Sequence, residues 1–166
     1  MKIQNNTAIF NNGKRCEFDI LVLAAPIHSI NKIINTDIKM SYNQNKTLYI
    51  SSKKNVLNKT ILLVPGEKFR TNSIQCLSNI SSRYSNNNDF LYSLSSLYSN
   101  IEDDVLIDEF KIITGIKKNE MSLVKSYSLK TALPEKNKKI KSKNNIYFCG
   151  DWEQEPSIDG AIKSGR

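Results

Sequence analysis

The sequence predicts an α/β fold, α+β over the residues present, and three observations carry it. Phe18-Asp19-Ile20-Leu21-Val22-Leu23-Ala24-Ala25-Pro26 is a continuous apolar run, the texture of a strand buried on both faces in a helix-covered parallel sheet. Ile146-Tyr147-Phe148-Cys149 is a second such run; it stops at Gly150-Asp151, and Asp159-Gly160-Ala161 then opens a helix. Between the two lie short strand-like segments divided by turns, the pattern of a mostly antiparallel sheet.

Residues 2–10 read as a strand with Ile3, Ala8 and Ile9 as apolar positions. Asn11-Asn12-Gly13 is a hairpin turn, because Asn and Gly tolerate positive φ, and residues 15–18 return as its partner. Pro26 ends the apolar run, and residues 28–34 form a short helix with Ile27, Ile30, Ile33 and Ile34 on one side. Residues 47–51, 60–64, 73–77 and 90–98 are strand-like, with a Pro65-Gly66 turn and a polar loop over 81–88, together an antiparallel meander. A helix starts at Asn100 or Glu102: Glu102, Asp103 and Asp104 suit the positive end of the helix dipole, Val105, Leu106, Phe110 and Ile113 form its apolar face, and Gly115 stops it. Residues 121–129 form a further strand ended by Thr131-Ala132-Leu133-Pro134, and a basic loop leads to the closing strand and helix.

With 166 residues, 39% hydrophobic and 24% charged, the chain suits one soluble domain with a real core. It has no apolar run near the roughly 20 residues that span a bilayer, and MKIQNNTAIFNNGK lacks a signal-peptide core, so a cytoplasmic location is expected. The net charge is +8, yet the densest lysine cluster (Lys136, Lys138, Lys139, Lys141, Lys143) has no interleaved aromatics and reads as a solvated loop, so no nucleic-acid partner is expected. Cys16, Cys76 and Cys149 are far apart and His28 is the single histidine, which excludes zinc-ligand spacing and a disulfide framework. Cys149 reads as a small buried hydrophobe. His28 reads as a helix-surface histidine, and no general base or nucleophile elbow accompanies it.

Chemistry concentrates at the C-terminal turn. Ligands of open α/β sheets bind beyond the carboxyl ends of strands, where glycine lets backbone approach a ligand closely. There Asp151 can accept hydrogen bonds from sugar or ribityl hydroxyls, and Asp159-Gly160-Ala161 can present bare backbone N–H groups to an anion or an electron-rich carbonyl. In the plainer reading Asp159 is the helix N-cap and Gly150 a turn residue, and spacing alone does not choose.

IYFCGDWEQEPSIDGAIKSGR, residues 146–166, closely resembles the C-terminal flavin-binding motif of the FAD-dependent amine-oxidase superfamily, most of all its renalase-like members. NNGKRCEFDILVLAAPIHSINKII, residues 11–34, resembles that superfamily's hairpin, strand and following helix, and KSYSLKTALP, residues 125–134, is similar to a renalase-like stretch in which Trp often stands at Ser126 or Tyr127. The resemblance implies an incomplete FAD/NAD(P)-binding Rossmann-like domain with an inserted substrate domain. Residues 1–39 would belong to the FAD-binding domain, 40–144 to the substrate domain with its helix over 101–114, and 145–166 to the FAD-binding domain again. It implies FAD as cofactor, NAD(P)H as a candidate substrate, and a small-molecule substrate lodged in the middle region. Gly150, Asp151, Trp152, Asp159, Gly160 and Ala161 would bind the cofactor: Gly150 and Asp151 at the ribityl–pyrophosphate region, Trp152 near the flavin, Gly160 and Ala161 under its pyrimidine edge, where the helix dipole stabilises the reduced flavin.

Such an enzyme also needs a G-x-G-x-x-G unit for the ADP half of FAD, and none of the six glycines is spaced that way. The expectation is therefore the C-terminal part of a flavin-dependent oxidoreductase, with the N-terminal FAD-binding portion as a partner. The alternative is a non-enzymatic remnant or binding module without flavin. An upstream reading frame encoding the glycine fingerprint would discriminate the two.

Overall fold

The computed structural model describes residues 1–85, 88–135 and 139–166, which form two compact units. One comprises Met1–Asn43 and Leu133–Arg166, the other Gln44–Ala132. Lys136 and Lys138 of the basic cluster lie outside the described residues, while Lys139, Lys141 and Lys143 are exposed.

In the first unit, strands β1 (Lys2–Gln4), β2 (Thr7–Ile9) and β3 (Arg15–Glu17) form a three-stranded antiparallel sheet. The single strand expected over residues 2–10 is thus a hairpin. Its turn is Asn5-Asn6, with φ of 46° and 55°, the left-handed pair that a two-residue hairpin loop requires and that Asn tolerates without glycine. Strand β4 (Leu21–Ala24) pairs in parallel with β10 (Ile146–Cys149), Leu21 opposite Ile146 and Ala24 opposite Cys149. Helix α1 (Ile27–Ile34) follows β4 and helix α3 (Ile158–Ser164) follows β10. Leu23, Ile27, Ile30 and Trp152 form a buried cluster on which Leu21, Ile146 and Phe148 pack. The alternation of a strand sends Val22 and Tyr147 to the other face. There they stand opposite each other, 56% and 48% exposed. The burial of β4 on both faces expected from its apolar run is therefore not found among the described residues: a single apolar layer covers it.

The second unit is built on a five-stranded sheet of β5 (Tyr42–Ser52), β6 (Ile61–Leu63), β7 (Thr71–Cys76), β8 (Phe90–Ser96) and β9 (Met121–Pro134), with helix α2 (Asp103–Thr114) packed against it. The strand order is β6-β7-β8-β5-β9. Only β6, β7 and β8 make the expected meander; β5 is inserted between β8 and β9, a long-range pairing that no local pattern encodes. Alternate residues Leu48 and Ile50 of β5 and Tyr92 and Leu94 of β8 bury against Leu106 and Phe110 of α2. The Tyr92 and Phe110 rings meet edge to face at 5.3 Å. Leu106 and Phe110, four residues apart, set the inward stripe. Val105, one position round, is consequently 43% exposed rather than part of that face. Gly115 stops the helix with φ 73°.

Inside this core the Tyr92 hydroxyl donates to the Lys54 carbonyl at 2.8 Å and accepts from the Val56 N–H at 3.1 Å. Burial pushes its phenol up from 10.0 to about 12, with the Val56 hydrogen bond opposing and Cys76 assisting. Because the folded state holds the proton more tightly, this contribution to stability is complete below pH 10.0 and is lost as pH rises through about 12. Urea midpoints should therefore fall more steeply across that window for the wild type than for Tyr92→Phe; equal slopes would refute the assignment.

Candidate functional site

Because β4 and β10 run parallel and in register, their carboxyl ends finish side by side. The chain leaves β4 through Ala25-Pro26 into α1 and leaves β10 through Gly150-Asp151-Trp152. Between the two exits lies a cleft of about 240 Å³ lined by Ala24, Ala25, Pro26, Cys149, Gly150, Asp151, Trp152 and Ala161. This is where open α/β sheets bind ligands. Its volume lies below the roughly 300–1,000 Å³ of small-molecule pockets. Its walls are mostly apolar and backbone, and the half-buried Asp151 is its one ionisable carboxylate.

The glycines owe their place to the chain itself. A Cβ on Gly150 would stand 2.2 Å from the Trp152 indole nitrogen, and one on Gly160 would stand 2.0 Å from the Glu155 carbonyl oxygen. Trp152 is 1% exposed, and its Nε1 donates to the Ala25 carbonyl at 3.1 Å, joining the β10 exit to the β4 exit. The Gly150 N–H donates to Ser164 Oγ at 2.8 Å, which ties β10 to α3.

Helix α3 is capped by Ser157, not by Asp159. Ser157 Oγ accepts from the Gly160 N–H at 2.9 Å, and its carbonyl accepts from the Ala161 N–H at 3.0 Å. Two of the amides expected to be bare, those of Gly160 and Ala161, are therefore hydrogen-bonded within the first turn of their own helix. Asp159 instead pairs with Lys163 at 2.6 Å on the exposed side. Of the six residues read from the sequence, Gly150, Asp151, Trp152 and Ala161 line one cleft, Gly160 is buried against Glu155, and Asp159 is on the surface. Cys149 is a half-buried wall of the cleft rather than a fully buried residue.

Sequence reasoning missed Ser157, although Ser three positions before the Gly160 amide is ordinary N-cap spacing. It also missed Tyr42, which carries no local signal. The Tyr42 hydroxyl accepts from the Ile27 N–H at 3.2 Å, and its ring meets His28 edge-on at 6.4 Å. Burial first raises its phenol pKa, the Ile27 hydrogen bond lowers it, and the negative charge of Asp151 raises it further. His28 is exposed on α1, as the sequence suggests.

Two larger clefts, of about 440 and 450 Å³, lie in the second unit. Their polar groups are engaged with one another: Lys54 with Glu120 at 2.6 Å and Ser51 with Asp89 at 3.0 Å in one, Asn79 with Asn55 and the Leu57 carbonyl in the other. Among the described residues no group of His, Cys, Asp and Glu is placed to hold a metal ion, and no helix is long and apolar enough to cross a membrane.

No sequence family and no curated protein matches the chain. Solved structures do match. An oxidoreductase from Methanosarcina mazei superposes with a TM-score of 0.74 at 9% identity, over 96% of this chain and 46% of that one. The chain shares its fold with an oxidoreductase. A protein from Pyrococcus furiosus matches at 0.72 and 13% identity over 98% and 43%, and reduced UDP-galactopyranose mutase at 0.66 and 16% over 89% and 38%. The chain spans less than half the length of each, and at these identities the likeness is one of fold, mixed α/β with antiparallel sheets.

Proposed function

We propose that the cleft between β4 and β10 is the flavin edge of an FAD-dependent oxidoreductase of the amine-oxidase, renalase-like type. The observation that supports this most is the convergence of Asp151, Trp152 and the first turn of α3 at the carboxyl ends of a parallel strand pair. The donor set fits a hydroxylated chain: Asp151 accepts hydroxyl hydrogen bonds while Ala24, Ala25, Pro26 and Ala161 give it apolar walls. Among the described residues no Lys or Arg lines the cleft, so the ribityl part of FAD suits it better than the pyrophosphate does. Gly150 and Asp151 would hold the ribityl chain, Trp152 would form the wall beside it, and Gly160 and Ala161 would bring the positive end of α3 toward the flavin.

When bound, FAD supplies hydride transfer, with a reduced nicotinamide as one candidate donor. This chain's residues orient the ribityl chain, exclude water with the Ala25-Pro26 wall and present the small-molecule substrate. The ADP half must be held by polypeptide carrying G-x-G-x-x-G, which these residues lack. The same polypeptide would cover the bare Val22 and Tyr147 face. A second reading, a binding module without flavin, draws on the two glycines, whose space the chain's own Trp152 and Glu155 occupy.

Amide NMR titration with riboflavin, which is neutral and has the ribityl chain, alongside FAD, tests the proposal. Both ligands should perturb Gly150, Asp151, the Trp152 indole and Ala161. Asp151→Asn should weaken riboflavin roughly tenfold, the loss of one charge-assisted hydrogen bond. Perturbation confined to lysine-bearing surface, and by FAD alone, would establish the second reading instead.

A further inference from the structure

The turn at the end of β4 is gripped from two sides. Pro26 is the N-cap of α1, with φ −57° and ψ 146°, and no side chain caps the helix in the usual way. The first helical amide, Ile27 N–H, is instead taken by the Tyr42 hydroxyl at 3.2 Å, from fifteen residues along the chain. Two residues earlier, the Ala25 carbonyl takes the Trp152 indole N–H at 3.1 Å. Ala25, Pro26 and Trp152 are all walls of the cleft. Two half-anchored aromatic side chains from distant segments therefore determine where its walls stand. The His28 ring, edge-on to Tyr42 at 6.4 Å and 70°, restrains the phenol in turn.

We propose that Tyr42 is a positioning residue of this cleft: by capping Ile27 it locks the Ala25-Pro26 turn, and through the Ala25 carbonyl it sets the Trp152 indole. A free turn would let Pro26 and α1 pivot, and the indole, whose only hydrogen bond is to that turn, would follow. The inference rests on the flavin reading only for what the cleft holds; the locking itself is a property of the fold.

Tyr42→Phe keeps the ring and its contact with His28 and removes the hydroxyl. Trp152 is the chain's single tryptophan, so emission excited at the red edge, where the tyrosines do not absorb, reports the cleft. In Tyr42→Phe the Ile27 amide should exchange roughly fivefold faster, as loss of one hydrogen bond dictates. The Ile30 amide, bonded to the Pro26 carbonyl at 3.1 Å, should keep its rate. Trp152 should become more accessible to acrylamide, and riboflavin should bind more weakly, with little change in the thermal midpoint. Unchanged Ile27 exchange together with unchanged Trp152 quenching would overturn the proposal. If Tyr42→Phe does not fold, the wild type decides: an Ile27 amide protected as well as Ile30 upholds the cap, and one exchanging at an unbonded rate rejects it. Failure of riboflavin to bind either protein would remove the ligand reading and leave the locking to be judged on the amide and the indole.

Discussion

Gly150→Ala is expected to dislodge Trp152 and to cost about 3 kcal/mol, the upper end of what overpacking a filled core does. The new methyl would sit 2.2 Å from Nε1 and 2.8 Å from Cδ1 of the indole, distances at which something has to move. The indole is not the free end of a flexible chain. It is 1% exposed, packed with Leu23, Ile27 and Ile30, and hydrogen-bonded to Ala25. Moving it breaks that bond and opens apolar surface; moving the backbone instead strains the Gly150 N–H bond to Ser164 and the register of β10 against β4. Both routes damage the cleft. Thermal unfolding followed by Trp152 fluorescence should show a lower midpoint and, before unfolding, a red-shifted emission from an indole that has met water. A Gly150→Ala protein with wild-type emission and midpoint would mean that Gly150 is there for an external ligand, as the sequence pattern first suggests.

That glycine marks the boundary of what could be read from the sequence. The strand–turn–helix from Ile146 onward was legible, because an apolar run, a Gly-Asp stop and a small-residue helix start are local signals, and they are seen as β10, the turn and α3. The parallel relation of the two apolar runs was legible too. A glycine, however, announces only that a Cβ is unwelcome. Whether a ligand or a neighbouring residue fills the space is a tertiary fact, and at Gly150 and Gly160 the neighbours are Trp152 and Glu155. Likewise, Ser157 and Asp159 both stand at the start of the same helix with cap-forming side chains, and only the extended backbone of Ser157, φ −158°, shows which one caps it. Tyr42 was invisible because its partner Ile27 lies in another element, and the place of β5 beside β9 was invisible for the same reason.

Asp103→Ala is expected to destabilise the second unit by about 3 kcal/mol, the lower end of the range for breaking a buried pair. Lys46 of β5 is the cause. Its side chain is 9% exposed, and the ammonium lies 2.5 Å from Asp103 and also donates to the Ile101 carbonyl. The Asp103 carboxylate accepts a further bond from Ser126 of β9 at 2.9 Å, so one side chain at the start of α2 joins the helix to two strands. Burial by itself would raise the Asp103 pKa, but the hydrogen bonds from Lys46 and Ser126 outweigh it and leave it lowered. The stabilisation is accordingly present above the ordinary value of 3.8 and is lost as pH falls through the lower folded one. Alanine at position 103 strands the Lys46 charge beside a single carbonyl, with water reaching it through the third of Asp103 that is exposed. The decisive comparison is with the double variant Lys46→Met, Asp103→Ala. Removing both charges leaves an apolar side chain among Leu48 and its neighbours, and that exchange is often neutral or stabilising. Urea denaturation should therefore place the single variant below the double one. If Asp103→Ala unfolds within about 1 kcal/mol of the wild type, as an exposed pair would, then Lys46 is solvated in solution and the joint between β5, β9 and α2 rests on packing alone.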